Sequence, residues 1–76
     1  MTRGNVSPWF AVGLSFRRVI RKPYAEIEVY RTRDDWRWRL DRIDPGTGQF
    51  CPVADGVCDT RDAAKRAAMD AATDLG

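Results

Sequence analysis

A chain of 76 residues has room for one domain, and domains this small bury only about 60% of the surface their unfolded chains expose, so self-association is a natural supplement to a slender core. With 43% hydrophobic and 32% charged residues the composition is globular, which excludes wholesale disorder. A formal net charge of +2 is too small to announce nucleic-acid binding, and two cysteines without any histidine exclude a four-ligand zinc site built by one chain.

The expected organisation is a single domain over 1–76. Residues 1–8 are read as a loose start, small and polar. The segment 9–22 is apolar and then basic, and two periodicities compete in it. Phe10, Val12, Leu14 and Phe16 alternate as in a strand, whereas Trp9, Val12, Phe16, Val19 and Ile20 recur at helical spacing. Ser7-Pro8 suits a helix start, but Gly13 and the β-branched Val12, Val19 and Ile20 oppose a helix, so extended structure is preferred. The apolar run from Trp9 to Phe16 is far shorter than the roughly 20 residues a bilayer-spanning helix needs, and it lacks a small-residue cleavage site. Neither a membrane span nor a signal peptide is expected, and the protein is read as cytoplasmic.

Lys22-Pro23 breaks the pattern before a β-hairpin over 24–43. Tyr24-Ala25-Glu26-Ile27-Glu28-Val29-Tyr30 and Trp36-Arg37-Trp38-Arg39-Leu40 each alternate apolar with polar residues, the signature of half-buried strands. Thr32-Arg33-Asp34-Asp35 has the polar chemistry of the turn between them. With the turn there, Glu28 lies opposite Arg39 and Tyr30 opposite Arg37, while Trp36 and Trp38 face the core.

Asp44-Pro45-Gly46-Thr47-Gly48 is a strong turn signal, followed by a third strand over 49–54. Pro52 puts that strand at an edge or a bulge, because proline cannot donate to a ladder. Asp55-Gly56 reads as another turn. Thr60 is the expected N-cap of a helix over 60–75, with Asp62 near its positive end. Ala64, Ala67, Ala68, Ala71, Ala72 and Leu75 then form one narrow stripe, and such small residues let a helix lie close to a sheet whose bulk comes from Trp36, Trp38, Ile27 and Val29. Met69 falls off the stripe and is assigned a second contact, to the N-terminal segment or to a partner. The fold class is therefore α+β, a three- or four-stranded antiparallel sheet with one C-terminal helix packed on one face. For Cys51 and Cys58, two reduced thiols are preferred to a bridge, since no dense cysteine framework argues for an oxidising compartment.

Glu26-Ile27-Glu28-Val29-Tyr30, Trp36-Arg37-Trp38-Arg39-Leu40, Gly48-Gln49 and Thr60-Arg61-Asp62-Ala63, in that order, resemble the small YegP-like family of bacterial β-β-β-α modules. The resemblance covers residues 24–75 and leaves the first 22 outside it. It implies three strands and a helix, and pairing of single copies into a homodimer. It supplies no catalytic residues, since the biochemical role of such modules is largely unassigned. The asparagine-glycine turn usual in the family is replaced here by Asp44-Pro45-Gly46-Thr47-Gly48.

Catalysis needs a nucleophile with a base, paired carboxylates in a pocket, or a metal, and the sequence assembles none of these. Its acids have local partners: Asp62 and Asp70 lie at i, i+4 from Arg66, and Glu26 and Glu28 share a sheet face with Arg37 and Arg39. No enzyme, cofactor or metal site is expected. What remains is a stoichiometric binding module. Arg17, Arg18, Arg21 and Lys22 form an unscreened basic cluster, and Trp9, Phe10 and Phe16 exceed what so small a core obviously buries. The expected partner-binding residues are therefore Trp9, Phe10, Arg17, Arg18, Arg21 and Lys22, with Tyr30, Arg37 and Arg39 secondary. A protein partner is preferred to DNA or RNA, whose phosphates the same cluster could track beside the sheet arginines. Richness in alanine, arginine, aspartate and glycine suggests a GC-rich genome, and a short chain of this kind would suit a phage or mobile-element protein, for example an anti-CRISPR-like inhibitor of host machinery.

Overall fold

The computed structural model describes residues 7–21 and 24–75. Five strands and one helix follow one another: β1 (Phe10–Val12), β2 (Ser15–Arg21), β3 (Tyr24–Arg31), β4 (Trp36–Ile43), β5 (Phe50–Cys58) and α1 (Arg61–Thr73). The strands form one antiparallel sheet in the order β1-β2-β3-β4-β5, so every strand pairs with its neighbour in sequence. This is the α+β class with a C-terminal helix on one face, with five strands where three or four were expected.

The additional strands come from the expected segment 9–22, whose described part, 9–21, is extended but folds back on itself. Gly13 has a φ of 61°, and with Leu14 it forms the glycine-first two-residue loop that suits the twist of a hairpin. Ser15 Oγ donates to the Val12 carbonyl at 2.9 Å and closes the turn. In the next hairpin Thr32 N–H donates to the Asp35 carbonyl at 2.9 Å, which sets Arg31 opposite Trp36. Glu28 then faces Arg39 and Tyr30 faces Arg37, the register expected from the turn. The Asp44–Gln49 loop closes through Asp44 N–H to Gln49 O at 2.9 Å, with Gly48 at a φ of 74°.

Two sequence expectations for the third hairpin strand are corrected. It runs through Cys58 instead of stopping at residue 54, and Asp55-Gly56 is not a turn but lies within it. Gly56 sits opposite Trp38, and a Cβ there would meet Trp38 Nε1 at 2.5 Å. The glycine makes room for an indole; it does not bend the chain. Pro52 lies on an edge strand beside a register shift between Leu40 and Asp41, both of the positions where proline is tolerated. Because Cys51 and Cys58 share this one strand, seven residues at about 3.3 Å each hold them far beyond bridging distance, and both thiols are free.

One face of the sheet carries the core. Ile20, Ala25, Ile27, Val29, Trp38 and Leu40 point to it, and α1 closes it with Ala64, Ala68 and Ala72. Thr60 caps α1 by accepting from Ala63 N–H at 3.1 Å. The alanine stripe lets the helix lie close across β3, β4 and β5, with Ala64 and Ala68 fully buried. Trp38 is sealed at 9% exposure, whereas Trp36, expected beneath the helix as well, is only half-buried: it packs against the core cluster but also lines a groove open to solvent. Arg66 forms no ion pair with Asp62 or Asp70 among the described residues; the helix pair present is Arg61 with Asp62, at 3.9 Å. No described helix is long and apolar enough to cross a membrane.

Candidate functional site

Strand alternation divides the basic cluster that looked continuous in sequence. Arg17 lies opposite Glu28 on the face away from α1, and Arg18 lies opposite Ile27 on the helix face. Arg21 is exposed at the far end of β2, beside Tyr24 and Arg42, and Lys22 lies outside the described residues. The three described members, Arg17, Arg18 and Arg21, therefore do not form one patch. Trp9 and Phe10 are separated likewise: Phe10 is exposed opposite Arg17, while Trp9 packs against the core cluster on the helix side.

The open face is a cross-strand lattice of alternating charge. Arg39 Nη2 sits 2.9 Å from Glu28 Oε1 and its Nε is 3.6 Å from Asp41 Oδ2. Arg17 reaches Glu26 at 3.4 Å and Glu28 at 3.5 Å, and Arg37 reaches Asp35 at 3.7 Å. Asp55 lies opposite Arg39 on β5. Arg37 and Arg39, set between Tyr30, Asp41 and Asp55, thus face a potential already neutralised by carboxylates, which leaves little field for a phosphate backbone.

Aromatic rings and cations gather instead on the helix side, along the flank of α1. Arg61, Lys65 and Met69 recur at i, i+4 and i+8 beside the alanine stripe, so they overhang β2. The Lys65 ammonium stands 4.7 Å from the Phe16 ring centre and 5.0 Å from that of Trp9. The Arg61 guanidinium lies 5.2 Å from Phe16, and Arg18 lies 4.9 Å from Trp9. Arg18 Nη1 also donates to Met69 Sδ at 3.5 Å, the second contact expected of that methionine. Burial lowers the Arg18 pKa by stripping water from the charged form, and its Nε has no hydrogen-bond partner among the described residues.

This flank opens at the sheet end into a groove of about 470 Å³ lined by Gly13, Leu14, Phe16, Arg31 and Trp36. Arg31 lies 5.9 Å from the Trp36 ring centre. Leu14, at the tip of the β1–β2 turn, is 94% exposed. Neither Arg18, Arg31 nor Lys65 forms an ion pair among the described residues. Of the groove and its rim, the sequence had singled out only Trp9, Phe16 and Arg18 as aromatic or basic surface. Arg61 and Lys65 were legible as cations bordering the alanine stripe. Arg31 and Trp36 were not, because only the pairing of β2 with β3 brings them beside Phe16 and Leu14. Among the described residues no three His, Cys, Asp or Glu side chains stand together as metal ligands.

No family model matches the chain, nor does any curated protein or solved structure.

Proposed function

We propose that the protein is a non-enzymatic binding module that acts stoichiometrically in the cytoplasm by docking a basic, aromatic surface on a protein partner. The supporting observation is the segregation of charge between the faces. The open-face carboxylates are engaged by Arg17, Arg37 and Arg39, while Arg18, Arg31 and Lys65 stand without carboxylates around Trp9, Phe16 and Trp36. Aromatic residues and arginine beside an exposed apolar anchor are the composition of interface centres. Leu14 supplies that anchor. Inhibition of host machinery by a mobile-element protein is one case of this mode of action.

The test is salt dependence of the complex isolated from host extract. An aromatic-anchored protein contact persists between about 50 and about 200 mM salt, whereas binding to single-stranded or duplex oligonucleotides through phosphates falls by orders of magnitude. Steep loss for the isolated partner, with matching oligonucleotide affinity, would replace the protein reading with the nucleic-acid one.

Self-association is a second proposal, favoured by β5. This nine-residue edge strand leaves Phe50, Val53 and Val57 exposed, and an edge of that length, unpaired among the described residues, is a template for a second copy. The YegP-like kinship suggested by the hairpin and the capped helix belongs to the same proposal.

A further inference from the structure

We infer that the groove between the β1–β2 turn and Trp36 takes an acidic peptide segment, with a bulky apolar side chain seated between Leu14 and Trp36 and flanking carboxylates on Arg31 and Arg61. This inference rests on the protein-binding reading above and names the chemistry of the partner. The groove is lined by the apolar side chains of Phe16, Leu14 and Trp36, so it rewards a hydrocarbon or aromatic side chain. Its rim is cationic. Arg31 belongs to the lining, and Arg61 and Lys65 stand over Phe16 from the helix side. The contact of Arg61 with Asp62, at 3.9 Å between exposed side chains, is too weak to occupy its guanidinium. Arginine presents a planar fork that matches a carboxylate in two hydrogen bonds, and such pairs strengthen as an apolar anchor excludes water beside them.

The same geometry disfavours a nucleic acid. Base stacking needs open ring faces, but Trp9 lies against Arg18 and Lys65, and Phe16 against Arg61 and Lys65. The most exposed apolar group at the groove is Leu14, which has no stacking plane.

The experiment is selection of a random peptide library displayed on phage against the full chain. Enriched peptides are then titrated by fluorescence anisotropy against wild type, Leu14→Ser, Arg31→Glu and, on the open face, Arg37→Gln. Leu14 and Arg31 are exposed, so these variants keep the fold, which circular dichroism checks. The expected result is enrichment of sequences that join Asp or Glu to Leu, Phe or Trp. Their affinity should drop about tenfold or more in Leu14→Ser and Arg31→Glu and stay unchanged in Arg37→Gln. Enrichment that depends on Leu14 but shows no acidic bias overturns this inference and leaves the protein-binding reading standing. No enrichment overturns the inference. If a thymidine oligonucleotide then binds with steep salt dependence that Arg31→Glu abolishes, both readings fall.

Discussion

Gly56 and Trp38 show how closely single positions are matched across β4 and β5. A methyl group at position 56 would lie 2.5 to 2.9 Å from three indole atoms of Trp38, too near for any contact without movement. Gly56→Ala should therefore destabilise the protein by about 1–3 kcal/mol in urea unfolding and shift tryptophan emission as the indole is displaced. Among the charged residues, Glu28 differs from the exposed acids because its carboxylate is mostly shielded and takes contacts from both Arg39 and Arg17. Glu28→Gln should cost about 1–2 kcal/mol. Arg37→Gln, which breaks a 3.7 Å contact between more exposed groups, should cost less than about 0.5 kcal/mol in the same assay.

The helix and the sheet meet with unequal side chains, small from α1 and large from β3 and β4. Ala64 and Ala68 have no exposed surface, so the helix backbone itself approaches Ile27, Val29 and Leu40. Enlarging that layer separates the two elements. Ala68→Leu should lower stability by about 1–3 kcal/mol, whereas the same change at exposed Ala63, read by the same urea titration, should stay within about 0.5 kcal/mol. The helix flank follows from this seating. Once the alanines fix the rotation of α1, Arg61, Lys65 and Met69 have no direction left except over β2, and the aromatic–cation cluster forms there.

At the scale of the molecule, one helix covers one face of a five-stranded sheet, and the other face is left to its own charges. The outcome is two surfaces of different character, a neutralised lattice and a cationic flank around a groove. Among the described residues the sheet also keeps a long free edge at β5. If copies pair there, sedimentation velocity should show a dimer growing with concentration for wild type, and Val57→Lys should leave a monomer, because an edge lysine opposes strand addition. A dimer that survives Val57→Lys would place the self-contact elsewhere.

Alternation and turn chemistry were legible along the chain because both are local. The hairpin register follows from Thr32–Asp35, the edge position of β5 from Pro52, and the helix face from its alanines. The division of 9–22 into two strands was not legible, since the choice between one extended run and a tight hairpin at Gly13 depends on whether β3 offers a partner for β2. Neither was the role of Gly56, a turn residue by composition and a clearance by packing. The candidate site was hidden for the same reason. Charge read along the chain groups Arg17 with Arg18, but a strand sends neighbours to opposite faces, and only the packed helix brings Arg61 and Lys65 to Phe16. The sequence by itself determined which residues could be inside and where the chain could turn. The tertiary structure alone decided which cations meet which rings, because that depends on non-local pairing and on how closely α1 can approach the sheet.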